Sequence, residues 1–66
     1  MTIKDIRLYN NLSQKQFGEL IGVTQAGVYK YEKKDTVLSP EVQSRLCAVF
    51  GLRPKKMRIS SFDLGV

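Results

Sequence analysis

Small hydroxyl residues and glycines punctuate this chain so closely that only brief helices fit between them. Thr2, Ser13, Thr24 and Ser39 each stand where a side-chain oxygen can cap a helix start, and Gly22 and Gly51 stand where a helix can stop. Asp5 after Thr2 and Gln16 after Ser13 have the spacing of capping boxes. Pro40 occupies a first helical position and Glu41 a first turn, where a missing N–H and a negative charge are both tolerated. The punctuation predicts helices over about Ile3–Asn10, Gln14–Ile21, Gln25–Lys33 and Pro40–Phe50, with Pro54 opening a short fifth one to Ile59. Lys33–Leu38 reads as a polar loop.

Apolar spacing assigns the inward faces. Ile3 and Ile6 point inward from the first helix, with Leu12 following. Phe17, Leu20 and Ile21 do so from the second, Val28 and Tyr31 from the third, and Val42, Leu46, Val49 and Phe50 from the fourth. Phe62, Leu64 and Val66 alternate with Asp63 and Gly65, which is strand spacing. The expectation is an all-α compact bundle of about five short helices. Residues 1–59 form the domain, and residues 60–66 form a tail able to act as a dimerisation arm.

Composition narrows the chemistry. With 66 residues and 42% hydrophobic content, one small core is available, worth only about 3–5 kcal/mol on its own. A second copy or a bound partner would add to it. There is no His, so no imidazole base or zinc ligand, and the single Cys47 can form neither an intrachain disulfide nor a cysteine metal site. An unpaired thiol suits a reducing cytosol. No apolar run approaches the ~18–20 residues of a membrane span, and Met1–Asp5 has no signal-peptide core. Lys and Arg number 11 against 6 Asp and Glu, a formal charge of +5, which favours a polyanionic partner.

The informative stretch is Gln14–Lys33, two short helices joined by a turn at Gly22. Gly18 leaves room for the helices to approach, and Gly22 suits a turn residue with positive φ. Together with Leu12-Ser13-Gln14, Gly22-Val23-Thr24, Val28, Tyr31-Glu32, Ser39-Pro40 and Leu46 through Leu52, these residues resemble the Cro and phage-repressor type of helix-turn-helix domain, the lambda-repressor-like fold. The resemblance runs from about Ile6 to Leu52. It implies a homodimer, assembled on DNA if not before, whose third helices enter successive major grooves of a near-palindromic operator. By the same resemblance Gln14 packs on the recognition helix and contacts a phosphate. Thr24, Gln25 and Ala26 open the recognition helix towards base edges, and Lys30 faces the groove one turn on. Arg7 and Glu32 form an internal ion pair, which gives Glu32 a structural role.

The residue chemistry agrees. A Gln amide such as that of Gln25 can bind adenine N6 and N7, Lys30 can donate to guanine O6 and N7, and Ala26 can meet a thymine methyl, each good bidentate pair contributing about 1–3 kcal/mol of discrimination. Gln14, Lys15, Tyr29, Lys33 and Lys34 are the expected backbone contacts, although for Tyr29 an exposed residue without a partner is an equal reading. Lys34 departs from the family, which usually has Gly or Asn there in a left-handed turn. Keeping that turn costs a Lys about 1 kcal/mol; otherwise the loop takes another shape. Gly27 lies inside the recognition helix at about 1 kcal/mol relative to Ala; it either permits close approach to DNA or is merely tolerated. Lys55-Lys56-Met57-Arg58 reads first as a solvated face, and Cys47 as an inert core thiol. Leu52, Met57, Ile59 and Phe62 are the expected dimer contacts.

The functional expectation is a sequence-specific transcriptional regulator of Cro-like repressor type, acting in the cytoplasm of a bacterium or phage-infected cell. Its partner is double-stranded DNA, and no cofactor, small-molecule ligand or membrane is expected. Alternatives on the same fold are a restriction–modification controller protein and an antitoxin or other protein-interaction module, for which Ser60–Val66 is the candidate masking segment. An enzyme is not expected. Glu19, Glu32, Asp35 and Glu41 are scattered or committed to caps and ion pairs, and neither a nucleophile–base pair nor a phosphate-cradling glycine loop is present.

Overall fold

The computed structural model describes residues 1–66 and contains four helices: α1 (Ile3–Tyr9), α2 (Gln14–Ile21), α3 (Gln25–Lys33) and α4 (Pro40–Phe50). Each starts where a hydroxyl caps it. The Thr2–Asp5 and Ser13–Gln16 capping boxes close in both directions. Thr24 Oγ1 accepts from Gly27 N–H at 3.1 Å, and Ser39 Oγ accepts from Val42 N–H at 3.3 Å. Gly22 (φ 75°) and Gly51 (φ 66°) end α2 and α4 in the left-handed region. After α1 the chain turns at Asn11 (φ 55°), a residue type that tolerates this region.

The core gathers Ile3, Ile6, Phe17, Ile21, Val28, Leu38, Val42, Leu46, Ile59 and Leu64. α2 packs on both α3 and α4, and α1 reaches across to α3. The Phe17 and Phe50 rings stack 5.4 Å apart, fastening α2 to the last turn of α4. A Cβ built on Gly18 would lie 2.4 Å from the carbonyl oxygen of Val23. The glycine therefore lets α2 approach the backbone of the turn directly.

Three sequence expectations are corrected. Leu20 is 38% exposed, because α2 buries Phe17, Gly18 and Ile21 and leaves Leu20 at the edge of that face. Val49 is also exposed; it lines an open groove beside α1, and Phe50 makes the inward contact instead. The fifth helix does not form. Lys55–Arg58 is a series of bends, Lys55 N–H donates to Gly65 O at 2.6 Å, and Met57, the one apolar residue in that run, is 99% exposed. A helix there would have no face to bury.

Residues 60–66 are sewn into the same core. Ile3 N–H donates to Ser61 O (2.8 Å), Ser61 N–H to Thr36 O (2.8 Å) and Leu64 N–H to Met1 O (3.0 Å). Ser61 is fully buried with its hydroxyl satisfied twice, accepting from Thr36 N–H at 2.9 Å and donating to Lys34 O at 3.0 Å. The tail thus joins the start of α1 to the α3–α4 loop by backbone hydrogen bonds, and its two isolated antiparallel bridges, Val37 with Ser60 and Ser60 with Asp63, form no sheet. No helix is long and apolar enough to cross a membrane.

Candidate nucleic-acid interface

The outward face of α3 is set by what its inward face does. Val28 is fully buried and Tyr31 half-buried, so Gln25, Ala26, Tyr29, Lys30 and Lys33 point to solvent. Thr24, at the helix start, is also exposed. Its hydroxyl already accepts the Gly27 N–H, so it retains one O–H to donate outward. Lys33 Nζ lies 5.8 Å from the Tyr29 ring centroid, a cation–π pair one turn apart.

α3 is fixed against α1 by an ion pair. Glu32 accepts from Arg7 Nε at 2.7 Å and Nη2 at 3.0 Å, a bidentate arrangement, while Arg7 Nη1 donates to Leu12 O at 3.0 Å. The two side chains are only 13% and 7% exposed. The bonded Glu32 carboxylate holds the Arg7 guanidinium above its already high range. Gln14 Nε2 reaches the same carboxylate at 3.5 Å, so the start of α2 joins the α1–α3 link. Glu32 thus sits at the junction of α1, α2 and α3, bonded to Arg7 and within reach of Gln14.

Lys4, Arg7, Gln14, Tyr29, Glu32 and Lys33 line a cleft of about 230 Å³. Three expected backbone-contacting residues, Gln14, Tyr29 and Lys33, come together there. Lys15 and Lys34 are exposed elsewhere and do not line it. Lys4 was missed by the sequence reading, although its spacing from Arg7 places both on one side of α1. Lys34 settles the loop question: its backbone is extended (φ −136°, ψ 134°), so the left-handed turn is absent and no strain is stored. Gly27 faces inward to its own chain. A Cβ there would lie 2.4 Å from Val23 Cγ1, which is an intramolecular packing reason for a glycine.

The residues expected at a dimer seam are scattered. Leu52 is half-buried, Phe62 is 42% exposed and Met57 is fully exposed among Lys55, Lys56 and Arg58. Ile59 is 1% exposed and belongs to the protomer core, which corrects the expectation for that residue. Cys47 is half-buried on α4.

Two capped helices locked across a left-handed glycine, with the second presenting a polar face, define a helix-turn-helix domain. The chain belongs to that family: the family model described as helix-turn-helix matches residues 3–57. It is also 35% identical over 49 residues to a protein of Sulfolobus acidocaldarius that bears the name of an HTH-type transcriptional regulatory protein. That match covers 74% of this chain and 16% of the relative's length. No solved structure gives a significant match.

Proposed function

We propose that this chain binds double-stranded DNA in a sequence-specific manner and regulates transcription, as a Cro-like repressor that occupies a near-palindromic operator as a dimer. The observation that carries the reading is the row Gln25, Ala26, Tyr29 and Lys30 exposed on a helix whose orientation is fixed by the Arg7–Glu32 pair. The row combines an amide, a methyl and an ammonium, the groups that read adenine, thymine and guanine in the major groove. The Lys4–Gln14–Tyr29–Lys33 cleft lies alongside and suits a backbone phosphate, with the formal charge of +5 supplying the sequence-independent attraction. The name of the Sulfolobus relative points the same way. An antitoxin needs a segment free to mask a toxin; Ser60–Val66 is packed instead, with Ser61 and Leu64 fully buried, which favours the DNA reading.

The test is selection of bound duplexes from a random pool, with binding repeated at two salt concentrations. The expected result is an enriched inverted repeat with half-site centres about one helical turn apart. Salt-sensitive binding without enrichment would refute the sequence-specific part, and absence of binding would refute the whole reading.

A further inference from the structure

Beyond the DNA-facing side, the largest concavity is a groove of about 640 Å³ between α1, the end of α4 and the tail. Its more buried lining is Ile6, Phe50 and Leu52. Tyr9 (86% exposed), Val49 (45%) and Val66 (46%) stand exposed along it. No residue of α2 or α3 contributes. At about 100° per residue, Asp5 and Tyr9 lie on the side of α1 away from Lys4 and Arg7. A molecule seated in the groove would leave α3 and the phosphate cleft uncovered.

We infer that this groove is the seam at which a second copy of this chain docks, with twofold symmetry. The inference rests on the dimeric reading above and assigns its surface. Charge decides between faces. Two molecules of charge +5 repel, and two faces add to that: Lys30 and Lys33 are exposed on α3 with Lys4 beside them, and Lys55, Lys56 and Arg58 flank Met57. The groove differs, because its charged side chains are one acid and one base, Asp5 and Arg53. A twofold contact brings each patch against its own copy, so Asp5 of one protomer can face Arg53 of its partner. Shape is self-complementary in the same way. The patch holds both a concavity and a projecting ring, so Tyr9 of each copy can enter the groove of the other. The alternative seam through Met57 and Phe62 is less suited: its acids are already engaged within the chain, Asp63 by Lys56 and Asp35 by the Phe62 N–H, which leaves Lys55 and Arg58 to face their own copies, and Ile59 is withdrawn into the core.

The test is sedimentation equilibrium of the full chain, with a short mixed-sequence duplex at low salt as the DNA probe. Val49→Arg is expected to raise the monomer–dimer Kd at least about tenfold by setting like charges face to face, with the thermal midpoint of the dilute monomer and its duplex binding unchanged. Met57→Arg is expected to leave the Kd unchanged. If Val49→Arg unfolds, Tyr9→Glu gives the same readout from a side chain that is 86% exposed. A Kd unmoved by the groove variants, or raised only by Met57→Arg, would overturn the seam. So would a wild-type chain that stays monomeric at about 1 mM, including one that captures a different protein through this groove. Loss of duplex binding with the dimer intact would instead count against the DNA reading and leave the seam standing.

Discussion

Gly18→Ala tests the packing on which the interface depends, because two opposing effects can be weighed. Ala in place of Gly inside a helix is favourable by about 1 kcal/mol through propensity alone. Against that, the new Cβ would sit 2.4 Å from the Val23 carbonyl oxygen and 3.2 Å from Val28 Cγ2. The first neighbour is backbone, and it belongs to the turn in which Val23 N–H donates to Gly18 O at 2.8 Å. Neither partner can rotate away, so α2 and the turn must separate. Overpacking of this kind costs about 1–3 kcal/mol, and a backbone clash belongs at the upper end. The net expectation is destabilisation by about 1–2 kcal/mol, read as a fall in Tm of about 4–16 °C for a domain of this size. DNA affinity should fall with it, because α3 shifts relative to α2. The assay is thermal unfolding by circular dichroism, with Gly27→Ala beside it. There the clash is with Val23 Cγ1, a side-chain methyl on a half-buried residue, so the gain in propensity should largely offset it. A rise in Tm for Gly18→Ala would refute the reasoning that this glycine sets the helix–turn distance.

Four further outcomes follow from the structure. Glu32→Gln leaves the largely buried Arg7 charge without its counter-ion and should cost about 3 kcal/mol, the low end for a broken buried pair; chemical denaturation measures it, and a loss under about 1 kcal/mol would show that Arg7 finds equal compensation elsewhere. Ser61→Ala strips the partner from Thr36 N–H and leaves Lys34 O with the Thr36 hydroxyl alone, and should destabilise by about 1–3 kcal/mol, with amide exchange accelerated at Thr36; unchanged exchange there would contradict the bonding described. Gln25→Ala should relax preference at one operator position per half-site, whereas Lys33→Ala should weaken binding to all sequences and reduce the salt slope by about one per subunit; equal effects of the two on specificity would contradict the division of roles. Stability should decline in acid. The Thr2 N–H holds Asp5, and Lys56 and the Gly65 N–H hold Asp63, below the ordinary carboxylate value of 3.8. Lowered folded values mean that these contributions are complete above that pH and disappear as pH falls through the folded values. Asp63→Asn should flatten this acid limb in melts between pH 6 and 2, and melts parallel to wild type would remove Asp63 from the account.

The four helix starts were legible because a cap is a local contract: Thr2, Ser13, Thr24 and Ser39 each satisfy a backbone N–H within the next turn. The same holds for Gly22 and Gly51, where only a residue without Cβ adopts positive φ at no cost. The polar face of α3 was legible too, since burying Val28 leaves Gln25, Tyr29 and Lys30 no other direction. Arg7 and Glu32 came from family resemblance; nothing in local spacing joins groups on separate helices. Leu20 and Val49 fit their apolar periodicities yet are exposed, because periodicity gives a face but not its limits; those are drawn by where neighbouring helices end. The tail lay furthest from sequence reasoning. The alternation of Phe62, Leu64 and Val66 has strand spacing, but the groups that receive this segment are Met1, Ile3, Lys34 and Thr36, far away along the chain. Gly65, buried at φ 74° against Ile59 and Pro54, has meaning only once that closure has formed. By itself the sequence determined each helix, its start and its polar face, since those depend on residues within a turn of one another. Tertiary structure alone decided that Pro54 opens no helix, that the tail closes the core, and that an apolar groove stays open beside α1, since those depend on which distant backbone and side-chain groups compete for the same space.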